Sequence, residues 1–378
     1  MEVKEMSDKT ISIIVPMYKG KKYISNILYM YDENIRTLRK AKNFDSVELI
    51  MINDYPDEKF VVKHQGVRVI DNEENKGIHK SRVIGLNYCK GDYVLMLDQD
   101  DYISPNFLLS QIQNIGSSDL VVCNGKHNDW PIFESDDDFR NKMDDVGVNY
   151  IVSPGQVLIK SSSIPKEWKE DLMRCAGADD YYLWILMTSK GAEFAYNNQI
   201  LFKHIKNGFN SSNNMRLMNA SNQELLQKID THIKDNTYKD RLLAGIHSTI
   251  EENNMQLQIE KVFEIIATDK KFIQNLLEIN ECNKISVYGF GSMGQKTYDL
   301  LKKNGIAVTC VWDKKIPSQY MSNEYNIKVP SRENLELVDN DELILVTPIK
   351  PCDEIRTFLR QSGVKHITSL IDLAKDNV

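Results

Sequence analysis

The chain is predicted to be α/β, with two sheet-forming units joined by a helical connector. Three observations carry this. Short β-branched apolar runs alternate with helical spacing over the first 125 residues. Residues 219–281 are almost wholly helical in pattern. A strand-turn-helix pattern then returns from Asn283 onward. At 378 residues, and roughly 100–200 residues per domain, the chain has room for two or three cores.

Ile11–Val15 is continuously apolar and β-branched, which suits a strand covered on both faces of a parallel sheet. Ile24, Ile27, Tyr31, Ile35 and Leu38 follow at helical spacing. Further strands are predicted at Val47–Ile52, Val67–Ile70, Tyr93–Leu97 and Leu120–Cys123, with a helix over about Ile78–Cys89. Such alternation implies a doubly wound parallel sheet, whose ligands bind beyond the carboxyl ends of the strands. Ser104-Pro105 reads as an N-cap and first helical position, opening a helix to Ile115. Residues 124–149 are polar and acidic and are expected to be a loop. Val157–Ile159 resumes strand character, Asp179–Lys190 is a helix, Ala192–Phe202 is extended, and Lys206–Asn214 is a loop. Ser221 and Glu224 form a capping-box pattern within the helical region. Beyond it, strands at Ile285–Tyr288, Val308–Trp312, Leu343–Thr347 and Lys365–Ser369 alternate with helices at Gln295–Lys303 and Asp353–Gln361. The expected boundaries are 1–215, 216–282 and 283–378.

With 42% hydrophobic and 27% charged residues, the composition is that of a soluble globular protein. A net charge of −7 argues against nucleic acid as a partner. The six cysteines are scattered without a C-x-x-C pair, which suits reduced thiols and argues against a zinc knuckle. Met1–Thr10 lacks an apolar secretory core, and no stretch approaches the ~20 residues of a membrane span. A cytoplasmic protein is expected. Peripheral contact with the inner face of a membrane and homo-oligomerisation both stay open.

The most informative segment is Gly91–Asp101, where an apolar strand ends abruptly in Asp98-Gln99-Asp100-Asp101. Residues two apart on a strand share a side, so Asp98 and Asp100 face one point beyond its end. One or two carboxylates at such a point suit a hard divalent ion that leaves positions for substrate phosphates. Pro16-Met-Tyr18-Lys19 follows the first strand and Asn53-Asp54-Tyr55-Pro56 the second. Glu74-Asn75-Lys76-Gly77 precedes a helix bearing His79, Lys80 and Arg82, an arrangement suited to phosphate. Asp179-Asp180 open a helix that continues through Leu183-Trp184. His204 precedes a polar loop. Each feature alone has an ordinary structural explanation: an Asx-turn, a solvated basic face, or acids that favour a helix N-terminus.

Taken in order, these residues resemble the inverting family-2 glycosyltransferases, which have the nucleotide-sugar-binding GT-A fold. The matching run is Ile11–Tyr18, Asn53-Asp54, Glu74–Gly77 with Arg82 and Gly85, Lys90–Asp101, Asp179-Asp180 with Leu183-Trp184, and His204 with Asn210 and Ser211. It covers about residues 10–213. The resemblance implies that Pro16, Tyr18, Asp54, Asn75, Gly77, Arg82, Asp98 and Gln99 hold a nucleotide sugar, with a UDP-sugar as donor. It implies that Asp98 and Asp100, joined by His204, hold Mn²⁺ or Mg²⁺ against the diphosphate. Asp180 matches the catalytic base, with Asp179 beside it where Glu is commoner. The implied acceptor is a saccharide or lipid-linked saccharide, in bacterial surface or capsular polysaccharide synthesis. This chain departs from the pattern at Lys19, Tyr55-Pro56, Val83 and Ala178. Two other readings of this unit are a nucleotidyltransferase that makes nucleotide sugars and a catalytically silent nucleotide-sugar-binding scaffold.

Gly289, Gly291 and Gly294 lie between a strand and a helix, with Asp313 ending the next strand. That is the context of a dinucleotide-binding fingerprint and marks a second candidate nucleotide site. The unit is similar to small Rossmann-like domains of surface-sugar enzymes. Its alternatives are a packing role and an oxidoreductase activity.

Overall fold

The structure, a computed structural model, describes residues 9–41, 46–127, 130–205, 214–269, 271–314 and 326–377. It divides into two compact units, Met1–Ile250 and Glu251–Val378.

The first unit holds strands β1 (Thr10–Met17), β2 (Ser46–Asn53), β3 (Val67–Asp71), β4 (Tyr93–Met96), β5 (Tyr102–Ile103), β6 (Leu120–His127), β7 (Trp130–Pro131), β8 (Val157–Lys160) and β9 (Phe194–Lys203). They form one sheet ordered β3-β2-β1-β4-β8-β6-β9-β5, with β7 paired to β6. Strands β3, β2, β1 and β4 are mutually parallel. Beyond β4 the sheet is mixed: β8 runs antiparallel to both β4 and β6, while β6 is parallel to β9. The expected α/β sheet is therefore present, parallel in one half only.

Packed on it are α1 (Ile24–Ala41), α2 (Ile78–Tyr88), α3 (Phe107–Ile115), α4 (Asp136–Asp144), α5 (Lys166–Glu170), α6 (Asp179–Ser189), α7 (Met215–His232) and the start of α8 (Asn236–Thr268). Alternate residues of the central strands serve opposite faces. Ile14, Ile50, Ile52, Val94 and Met96 belong to a core shared with α6, α7 and α8. Ile13, Val15, Leu49, Met51 and Leu95 belong to one shared with α1 and α3. Covering both faces explains the unbroken apolar runs. Strand β1 pairs with β2 on one side and β4 on the other. The chain runs outward to β3 before returning to β4, so a topological switch point lies beyond the carboxyl ends of β1 and β4, where such folds bind ligands.

Local expectations fail where a side chain has a partner far along the chain. Ser104 does not cap α3: its backbone N–H bonds Leu201, and the helix starts after Asn106. The acidic stretch expected as a loop contains α4, capped by Ser135, whose hydroxyl accepts from the Asp138 amide. Three aspartates in its first turn favour the helix through its dipole. Ser221 and Glu224 do not form a capping box, because α7 begins six residues earlier, capped by Asn214. The region expected as a separate connector contributes to both cores. Leu225, Ile229, Leu242 and Ile246 join the first unit, and Ile259, Val262, Phe263 and Ile266 the second.

The second unit holds β10 (Lys284–Tyr288), β11 (Val308–Trp312), β12 (Ile327–Lys328), β13 (Glu342–Val346) and β14 (His366–Ser369). Their order is β12-β11-β10-β13-β14, all parallel. Helices α9 (Phe272–Ile279), α10 (Ser292–Lys303), α11 (Arg332–Leu335), α12 (Cys352–Gln361) and α13 (Leu370–Asn377) complete it. No helix among the described residues is long and apolar enough to cross a membrane.

Candidate active site

Strand β4 is buried along its length, and the Leu97 amide still bonds Ile14 of β1. Immediately afterwards the chain turns through Asp98, Gln99, Asp100 and Asp101. The Gln99 carboxamide accepts from the Tyr18 amide at 3.1 Å and donates to the Tyr18 carbonyl at 3.0 Å. This side chain extends the β1–β4 contact past the end of β4. It passes so close to Gly20 that a Cβ there would lie 2.1 Å from its oxygen. Pro16 is half-buried at the end of β1. Tyr18 is exposed and meets Tyr55 edge-on, centroids 5.4 Å apart. Lys19, at φ +50, a conformation uncommon outside glycine, sets its ammonium 5.5 and 5.3 Å from the two rings.

Asp54 is buried at the end of β2. Its carboxylate accepts from Asn72 Nδ2 and the Lys76 amide at 2.7 Å, and from the Gly77 amide at 2.9 Å. Asn75 Oδ1 also accepts from the Gly77 amide. The turn expected to cradle phosphate is thus occupied by an internal anion. Asp54, Asn75 and Gly77 are brought together, holding one another.

Helix α2 turns His79, Ser81, Arg82, Val83 and Gly85 inward. Gly85 allows the close approach: a Cβ there would sit 2.4 Å from Ile14 Cγ2. Arg82 is only 3% exposed. Its Nη1 donates to Asp179 Oδ2 at 2.6 Å and its Nη2 to Asp98 Oδ1 at 2.5 Å. Arg82, expected against the nucleoside, links two acids expected in different roles. His79 packs against Trp168 with the rings tilted by 37° and their centroids 4.3 Å apart. Its Nδ1 accepts from the Met173 amide at 2.9 Å, which fixes the Nε2–H tautomer, and that group donates to the Trp168 carbonyl at 2.9 Å. Burial lowers its pKa to about 4. Trp168 Nε1 in turn donates to the Asp179 carbonyl at 2.7 Å.

Asp179 and Asp180 open α6. The preceding loop is held from α7: Glu224 accepts from the Arg174 and Cys175 amides, and Ser221 Oγ from the Ala178 amide. The two acids have different surroundings. Asp179 is buried and bound to Arg82. Asp180 is half-buried and accepts from the Tyr181 amide at 2.6 Å. Its pKa is pushed up to about 7 by desolvation and then by the Asp179 charge, with Arg82 opposing.

Asp101, named in the acidic turn but given no role from the sequence, is buried and accepts from His204 Nδ1 at 2.8 Å and the Ile205 amide at 3.2 Å. That bond raises the His204 pKa above its ordinary value. A carboxylate behind an imidazole is the usual support of a metal-ligating histidine. Ser153 Oγ lies 3.4 Å from Asp98 Oδ2. Among the described residues no three His, Cys, Asp or Glu side chains converge closely enough to hold an ion. Asp98, Asp100 and His204, named from the sequence for a divalent ion, do not form such a cluster. Asn210 and Ser211 lie outside the described residues.

Sequence reasoning missed Trp168, Ser221 and Glu224 because their partners are distant in the chain. Tyr55 and Lys19 were visible only as departures from a pattern.

In the second unit Gly289 adopts φ +91. A Cβ on Gly294 would fall 1.9 Å from the Gly289 oxygen, whereas one on Gly291 would meet nothing within 4 Å. Asp313 accepts from the Phe290 amide at 2.6 Å. All four residues named from the sequence gather at this loop.

EpsH of Bacillus subtilis (strain 168), named a glycosyltransferase, is 28% identical over 127 residues, which are 32% of this chain and 34% of EpsH. The minor teichoic acid biosynthesis protein GgaB of the same strain is 29% identical over 100 residues, 25% of this chain and 10% of GgaB. The chain thus spans about a third or less of the length of these two curated relatives. The crystal structure of S. aureus TarS 1-349 in complex with UDP-GlcNAc aligns over 72% of this chain and 83% of that one, at 17% identity and a TM-score of 0.46. The family model for glycosyl transferase family 2 matches residues 12–146. That segment runs from β1 through the Asp54 turn, Arg82 and the Asp98 turn, and with it the first unit carries a glycosyl transferase family 2 domain.

Proposed function

We propose that the first unit is an inverting, metal-dependent glycosyltransferase that uses a nucleotide sugar, with a UDP-sugar as donor, to glycosylate a saccharide or lipid-linked saccharide of a bacterial surface or capsular polysaccharide. The observation that carries this reading is the contrast between the two acids of α6. Asp179 is already bound to Arg82. Asp180 is half-buried, with a pKa of about 7, and such a carboxylate is matched to accept a proton at neutral pH. We assign Asp180 as the base and Asp179 as its support.

In the reaction, Asp180 takes the proton of the acceptor hydroxyl as that oxygen bonds the sugar carbon. The bond from the same carbon to the diphosphate breaks on the opposite face, and the nucleoside diphosphate departs. Tyr18 and Tyr55 offer rings to the base from the ends of β1 and β2, with Gln99 holding Tyr18 in place. Asp98 and Asp100, with His204, would hold a divalent ion, whose charge offsets that of the departing diphosphate.

The test is a panel of nucleotide sugars incubated with the purified chain, with Mn²⁺ or with EDTA, watching for hydrolysis and transfer. A UDP-sugar should turn over only with the metal. Asp180→Asn should fold normally yet lose at least ~10²-fold in rate, the lower end of general-base assistance. Near-normal turnover by that variant would remove Asp180 from the role.

A further inference from the structure

We propose that Arg82 is a positioning residue that ties the carboxylate ending β4 to the first acid of α6 and thereby fixes the charge around Asp180. This rests on Asp180 as the base and adds what governs it.

A guanidinium withdrawn from water must be paired. Arg82 is paired at both ends, with Asp98 and with Asp179. Its remaining nitrogen, Nε, is buried and has no partner. Asp179 is itself only 2% exposed; without Arg82 it would be a lone buried anion adjoining Asp180. The contacts around this pair hold it in register. Gly85 seats α2 against Ile14, and the His79–Trp168–Asp179 chain of hydrogen bonds locks the start of α6 onto α2.

The charged groups acting on Asp180 are Asp179 on its own helix, Arg82 from α2 and Asp98 from the β4 turn. His79, which faces Asp179 from α2, is neutral near pH 7. Their signs differ. Asp179 and Asp98 hold the Asp180 proton on, and Arg82 draws it off. Deleting the Arg82 charge and deleting the Asp179 charge should therefore move Asp180 in opposite directions, which a purely packing role would not do.

The experiment is a mutant cycle on the full chain without metal: wild type, Arg82→Met, Asp179→Asn and the double variant. The Asp180 carboxyl is titrated by ¹³C NMR, with Asp180→Asn as the assignment control. Asp179→Asn should lower the midpoint by about one pH unit or more, Arg82→Met should raise it by a similar amount, and the double variant should fall between them. In urea, the double variant should unfold at a higher midpoint than Arg82→Met, because it no longer buries an unpaired acid. If Arg82→Met does not fold, Asp179→Asn and the double variant still carry the comparison. Unmoved Asp180 midpoints would overturn the proposal. So would a double variant that loses UDP affinity while its Asp180 titrates as in wild type, since Arg82 would then be a nucleoside contact. Neither readout needs turnover, so a wild-type chain inactive toward every donor would overturn the glycosyltransferase reading while leaving this titration to stand or fall separately.

Discussion

At the scale of single residues, His79 shows how the site depends on an uncharged group. Both ring nitrogens are committed to backbone partners, Met173 and Trp168. Burial takes its pKa from the usual 6.5 down to about 4. The unfolded chain therefore binds the proton more readily than the folded one. Stability from this residue is fully present above about pH 6.5 and is lost as pH falls toward 4, by up to roughly 3 kcal/mol. Urea midpoints measured from pH 7 to pH 4 should fall more steeply for wild type than for His79→Asn. Parallel curves would show that His79 plays no part in this loss. Because His79 supports Trp168 and, through it, Asp179, acid weakens the place where the two acids of α6 are seated.

Among the elements, α2 is the organiser. It lies on β1 closely enough that Gly85 has no room for a methyl group, the nearest carbon of Ile14 being 2.4 Å from where it would go. Gly85→Ala must push α2 outward or distort Ile14, at a cost of about 1–3 kcal/mol for overpacking. Displacing α2 also withdraws Arg82 from its two acids. We expect a lower urea midpoint together with a rate loss larger than the stability loss explains at temperatures where the variant remains folded. A variant with wild-type stability and rate would show that the helix is not held at this depth. The sequence revealed α2 and the strands it covers because their apolar periodicity is local. It did not reveal where Arg82 points, since a cation beside a glycine-led helix start suits phosphate equally well. Ser221 and Glu224 were misread for a related reason. Their spacing matches a helix start, yet their side chains serve the loop before Asp179. Helix α4 was missed because three consecutive aspartates resemble a solvated loop until Ser135 is seen to cap them.

On the scale of the whole molecule, each unit has its own core and its own switch point. The second unit is specified most tightly at Gly294, where any Cβ would collide with the Gly289 carbonyl. Gly294→Ala should destabilise it by at least about 1–3 kcal/mol, seen by calorimetry as a lowered transition. An unchanged thermogram would mean that the loop can open without cost. The fold class and the acids at the strand ends were legible because burial and charge are written into short runs of sequence. Whether those acids face a ligand or one another depends on contacts such as Arg82 with Asp179 and Asp101 with His204, far apart along the chain, which no local pattern encodes. Asp54 gives that difference a practical meaning. Its carboxylate already satisfies the backbone of the turn at residues 76 and 77, so the turn holds its shape with no guest. Under the proposed function a nucleotide would meet a frame already built, and the entropy of ordering that frame would fall on folding rather than on binding.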